Sequence, residues 1–76
     1  MKVKVYTTPT CPWCVRVKEF LKKHGIEFEE INVAENKEAL IYMVKNTQQM
    51  GVPVTEIDGK FVIGFDEKKL KELLKL

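Results

Sequence analysis

The spacing of apolar residues changes period at a pair of cysteines, and that change limits the folds open to this chain more than any other feature. Lys2-Val3-Lys4-Val5-Tyr6 alternates polar and apolar side chains and is rich in β-branched residues, the pattern of a short strand. Beyond Cys11 the apolar positions are Cys14, Val17, Phe20 and Leu21, which share one helical face, while Arg16, Lys18, Glu19, Lys22 and Lys23 fall largely on the other. The strand is therefore predicted to end at Thr7, followed by a loop through Thr8-Pro9-Thr10 and a helix from Pro12. Pro12 suits the first helical position, where its missing N–H would lack a partner anyway, and Gly25 suits the position just past the end. Glu27–Val33 reads as a second strand, although Phe28 and Ile31 break strict alternation and leave its register open. Strand, helix and strand in succession form a βαβ unit with parallel pairing and a right-handed crossover.

The second half repeats none of this pattern. Glu35 to about Gln48 is predicted to be helical, with Leu40, Met43, Val44 and Thr47 on the inner stripe and Asn32 or Asn36 as the cap. Gly51-Val52-Pro53 interrupts it. Val54–Ile57 and Lys60–Ile63 then flank Asp58-Gly59, a strong signal for a hairpin closed by a type I′ turn. Gly64-Phe65 ends the last strand, Asp66 is placed to cap a third helix, and Leu70, Leu73 and Leu74 supply its apolar stripe.

At 76 residues, this is one domain, 1–76, near the lower limit for a core without staples. An apolar fraction of 45% and a charged fraction of 32% describe an ordinary globular chain. The net charge of +2 comes from interspersed lysines and acids with no basic run, which argues against nucleic acid as a partner. No segment approaches the roughly 18 apolar residues needed to cross a bilayer, and no signal-peptide h-region opens the chain, so a cytoplasmic location without a membrane is expected.

Cys11-Pro12-Trp13-Cys14 contains both cysteines of the chain. A structural staple stabilises by closing a long loop, and a four-residue loop gives little. At the start of a helix the unpaired amides and the positive end of the dipole favour thiolate over thiol, so Cys11 is the expected nucleophile. Cys14, one turn further and on the packed face, could then resolve a mixed disulfide. Trp13 either offers a contact surface to a partner or folds back over the core. His24, the sole histidine, lies in the last turn of the helix and reads as a cap. Four ligands are usual for zinc, and one histidine beside two cysteines does not reach that number, so no metal site is assigned. A different use of the same thiolate is to hold an iron–sulfur cluster between Cys11 residues of two chains with external thiols.

Taken with Val52-Pro53 opening the hairpin and Gly64 before the last helix, the cysteine motif resembles the glutaredoxin branch of the thioredoxin superfamily along essentially the whole chain. The resemblance implies an α/β thioredoxin-like fold: a four-stranded mixed sheet in the order 2-1-3-4, strand 3 antiparallel to strand 1, flanked by three helices. It implies a thiol-disulfide oxidoreductase with no tightly bound cofactor, acting as a monomer. It also implies a cis Val52-Pro53 bond beside Cys11, where the Val52 backbone would pair with an extended substrate; on sequence alone Pro53 is simply a strand-initial proline. Glutathione-dependent members often carry a basic residue before the first cysteine, a threonine before Val-Pro and a Gly-Gly followed by paired aspartates. Thr8, Gly51 and Gly64-Phe65-Asp66 stand in or near those places here. Loss of cationic contacts should weaken binding of an anionic tripeptide. The chain is thus similar to small redoxins that are glutaredoxin-like in sequence but take electrons from a thioredoxin-type flavoprotein reductase and can serve ribonucleotide reductase, with glutathione the alternative co-substrate. The expected substrate-binding residues are Thr8, Pro12, Trp13, Val52, Pro53, Gly64, Phe65 and Asp66, around disulfide-containing protein substrates.

Overall fold

The computed structural model describes residues 1–76, in the order β1 (Val3–Thr7), α1 (Pro12–Lys23), β2 (Glu29–Asn32), α2 (Lys37–Thr47), β3 (Val54–Ile57), β4 (Lys60–Ile63) and α3 (Glu67–Leu74). The strands lie in the order β2-β1-β3-β4. β1 is parallel to β2 and antiparallel to β3, and β3 is antiparallel to β4. The parallel β1–β2 pair and the β3–β4 hairpin are those read from the residues, and their assembly into one mixed sheet in this order is the one the resemblance implied.

Alternation along the central strands sorts the core into two layers. On one face Val3 and Val5 of β1, Ile57 of β3 and Val62 of β4 pack with Val17, Phe20 and Leu21 of α1 and with Leu70 and Leu74 of α3. On the other, Tyr6, Val33 and Val54 pack with Met43 of α2. Phe28 joins the first layer and Ile31 the second. Their odd separation, which looked like a broken pattern in the sequence, is ordinary alternation around an edge segment that serves both cores.

Several boundaries differ from the sequence reading. β2 is confined to four residues because it pairs only with β1, from Lys4↔Glu29 to Thr7↔Asn32. α2 starts at Lys37 rather than Glu35, because Asn32 O accepts the amides of both Glu35 and Asn36 in a turn. Asn36 is the cap, its side chain accepting from Ala39 N–H at 3.0 Å, while Asn32 Oδ1 accepts from Ala34 N–H instead. The helix closes at Thr47 because Gln48 adopts a left-handed conformation (φ 59°). The hairpin turn has positive φ at both Asp58 (48°) and Gly59 (85°), the type I′ requirement. Asp66 caps α3 through Lys69 N–H at 3.1 Å.

Candidate active site

β1 delivers the chain to the end of the sheet, and Thr8–Thr10 carry it to the first turn of α1. Cys11 N–H donates to Thr8 O at 3.4 Å, and Cys11 is the residue that caps the helix, in extended conformation with Pro12 next. Its sulfur accepts the Cys14 N–H at 3.1 Å. A thiol is an unusual cap. A contact of this kind is stronger to an anionic sulfur than to a neutral one, since charge-assisted hydrogen bonds are roughly twice as strong.

The two sulfurs are free and differ sharply in environment. Cys11 is partly exposed, and Cys14 is 1% exposed beneath it. Burial pushes the Cys14 thiol up to about 12, with its hydrogen bond to Cys11 acting in the same direction and the Thr8 main chain and Lys18 charge acting against it. Cys14 is therefore held as a thiol until something changes at Cys11.

The opposite wall comes from 41 residues further along the chain. The Cys11 thiol faces Val52 O at 3.7 Å, and the Val52–Pro53 peptide is cis, as the resemblance implied. Gly64 N–H donates to Pro53 O at 2.8 Å and tethers the end of β4 to the same loop. Gly64 has φ 74°, a conformation that a side chain would strain. Trp13, Val52, Pro53, Gly64 and Phe65 line a shallow pocket of about 310 Å³ beside the sulfurs.

Trp13 points outward at 55% exposure, which settles it on the surface and not over the core. Its ring lies 6.4 Å from Phe65, and the Arg16 guanidinium sits 5.1 Å from its centroid. Phe65, itself partly buried, meets Phe20 edge-on at 5.8 Å and so anchors the exposed Trp13 ring to the first core layer.

Thr8, Pro12 and Asp66 do not line the pocket. Thr8 acts through its main chain, and the Asp66 carboxylate is engaged by the α3 amide. His24 is the C-cap of α1, its ring 4.5 Å from Phe20. No group of three or more His, Cys, Asp or Glu side chains comes together to hold a metal ion. A larger hollow of about 550 Å³ lies against β2 and α2, lined by Glu29, Glu30, Glu35 and Glu38 among others, and holds no thiol.

Two features near the site were not visible in the sequence. Thr7, buried at the end of β1, donates to Glu30 Oε2 at 3.2 Å, and Lys18 Nζ pairs with the same oxygen at 2.8 Å. The Lys18 ammonium holds the Glu30 carboxyl below the usual carboxylate range, aided by Thr7. The second is Gln49, whose carboxamide bonds to both polar groups of Gly51. Its only sequence signal is a glutamine two residues before a glycine.

The glutaredoxin family model matches residues 3–62. An uncharacterized glutaredoxin-like 8.6 kDa protein from the rubredoxin operon of Clostridium pasteurianum is 42% identical over 72 residues, 95% of this chain and 96% of that protein. Among solved structures, a mutant of the thioredoxin-like protein BC3987 superposes with a TM-score of 0.91 at 39% identity, covering 97% of this chain and 95% of that one. The glutaredoxin-like NrdH-redoxin of Escherichia coli, whose structure is described as the basis of a thioredoxin-like activity profile, superposes with a TM-score of 0.84 at 26% identity, covering 96% and 95%. These neighbours share the thioredoxin-like arrangement of four strands and three helices.

Proposed function

Because the chain belongs to the glutaredoxin family of thiol-disulfide oxidoreductases, we propose that it reduces protein disulfides with Cys11 as the attacking thiolate and Cys14 as the resolving thiol. The observation that carries this reading is the asymmetry of the pair: Cys11 caps a helix at the surface, whereas Cys14 is buried and held protonated.

The Cys11 thiolate attacks one sulfur of a substrate disulfide. A Cys11–substrate disulfide forms, the substrate S–S bond breaks, and the departing thiolate takes a proton. Cys14 then gives up its proton and attacks the Cys11 sulfur, closing a Cys11–Cys14 disulfide and releasing the second substrate thiol. Two electrons and two protons have passed to the substrate. An extended substrate segment would lie along the Val52 main chain as an added strand, with apolar side chains against Trp13, Pro53 and Phe65.

The oxidised pair is recycled by an NADPH-dependent flavoprotein reductase of thioredoxin type. The pocket lining is apolar, and the neighbouring Arg16 guanidinium is engaged on the Trp13 ring, which suits an apolar protein segment better than an anionic tripeptide. The thioredoxin-like profile stated for the NrdH-redoxin neighbour supports the same choice, and ribonucleotide reductase is then one candidate substrate. The protein works in the cytoplasm as a monomer.

The test couples the purified protein to NADPH through a thioredoxin-type reductase and, separately, through glutathione with its reductase. Turnover is expected in the first system. Turnover in the second alone overturns the choice of donor. Cys11→Ser should abolish activity, while Cys14→Ser should accumulate a Cys11–substrate disulfide visible by mass spectrometry; full turnover by the Cys11 variant refutes the assignment.

A further inference from the structure

Residues 49–52 take part in no backbone–backbone hydrogen bond, although they join the end of α2 to the cis Val52–Pro53 peptide. The polar groups of Gly51 are both taken by one side chain. Gln49 Oε1 accepts from Gly51 N–H at 2.8 Å, and Gln49 Nε2 donates to Gly51 O at 3.0 Å. The second Nε2 hydrogen points to Thr47 Oγ1 at 3.4 Å, and that hydroxyl donates to Met43 O at 2.7 Å within α2. The loop is thereby tied back to the helix by a chain of side-chain contacts.

Gly51 is a glycine for a reason unlike that of the other three. Gly25, Gly59 and Gly64 have positive φ, and Gly51 does not. Its backbone admits any residue, but a β-carbon there would stand 2.7 Å from Gln49 Oε1, so a side chain at 51 requires the Gln49 carboxamide to move aside and give up its clasp. Gln49 and a bare residue 51 are two halves of one arrangement.

We infer that Gln49 is a positioning residue for substrate docking: its carboxamide clasps both Gly51 peptide groups and so holds the adjoining Val52 main chain facing Cys11. The inference rests on the reading of the Val52 edge as the place where a disulfide substrate docks. Val52 O stands 3.7 Å from Cys11 Sγ, and the next residue toward α2 after Gly51 is the exposed Met50, so Gln49 is the nearest polar restraint on that side. Without it, Gly51 is released, and glycine is the residue with the most backbone freedom to regain. Only a fraction of molecules would then present Val52 correctly, and apparent affinity falls by that fraction while the bound complex, once formed, reacts as before.

The experiment follows reduction of insulin disulfides, with dithiothreitol as terminal reductant, and separates KM from kcat. Gln49→Ala should raise KM about tenfold, the effect of losing two neutral hydrogen bonds, with kcat little changed. Gln49→Glu, which still accepts from Gly51 N–H but cannot donate to Gly51 O, should fall between. Gly51→Ala probes the same contact from the other side and should raise KM, yet add nothing in the Gln49→Ala background. An unchanged KM in Gln49→Ala, a loss confined to kcat, or single effects that multiply in the double variant overturns the inference. Wild-type protein that does not accelerate insulin reduction above the rate with dithiothreitol alone refutes the parent reading instead, so the two failures are told apart. Should Gln49→Ala lose its fold by circular dichroism, Gly51→Ala and Gln49→Glu decide the matter alone.

Discussion

Two threonines on the same face of the sheet should respond in opposite directions to the same substitution. Thr55 of β3 is fully buried between Val5 of β1 and Val62 of β4, and its Oγ1 has no hydrogen-bond partner. Thr7 of β1 is 2% exposed, but its hydroxyl donates to Glu30. Valine has the same shape as threonine with a methyl in place of the hydroxyl. At Thr55 the change removes an unsatisfied group whose desolvation costs about 1–3 kcal/mol, so Thr55→Val should stabilise by about 1–2 kcal/mol. At Thr7 it deletes a bond to a carboxylate, a class worth about 1.5–3 kcal/mol when shielded. Glu30 is 46% exposed and keeps Lys18, so solvent screening reduces the expected loss to about 1 kcal/mol. In a chain of 76 residues each kcal/mol moves Tm by about 4–8 °C. The assay is urea unfolding of the reduced protein, read as a shift in midpoint at constant slope. A Thr55→Val midpoint at or below wild type, or equal signs for the two variants, would refute the reasoning.

Further outcomes follow from burial and charge. The Cys14 thiol is raised from its ordinary value to about 12 by burial first, then by Cys11, so it stabilises the reduced fold fully below about pH 9 and loses that contribution as pH rises toward 12; Cys14→Ala should flatten the alkaline limb of a stability–pH curve. Glu30 is shifted the other way by Lys18. Its contribution is present above the ordinary carboxylate pKa and lost as pH falls through the depressed one, so Glu30→Gln should reduce stability by at most about 1 kcal/mol at neutral pH and by less in acid. Leu21 is fully buried between sheet and helix, and Leu21→Ala should cost about 2–5 kcal/mol in denaturant unfolding.

Most of the architecture was legible because it rests on contiguous residues. The change of period at Cys11, proline at the first helical position, Asp58-Gly59 and the Asp66 cap each report a local geometry through local contacts, and all four appear where expected. Boundaries slipped where pairing or turns decide them: β2 stops where β1 stops offering partners, and α2 starts two residues late because Asn32 O captures two amides. Phe28 and Ile31 were ambiguous because the edge segment that contains them contributes to both cores, which no single-face pattern describes.

At the site, sequence alone determined the chemistry on offer: two cysteines a helical turn apart at the start of a helix, the first a cap and the second on the apolar face. Those properties depend on neighbours within four residues. What surrounds them is decided by tertiary structure, and only the family resemblance, not local patterning, had pointed to Val52-Pro53 beside Cys11. Val52 O meets Cys11 across 41 residues, Trp13 turns outward onto Phe65, and Gln49 fills the space beside Gly51. The physical reason is the same in each case. Helix caps and amphipathic faces are set by short-range hydrogen bonding and periodicity, whereas the loop beside the thiol is placed by sheet order, which brings β3 next to β1 and so carries a distant segment to the helix that begins with Cys11.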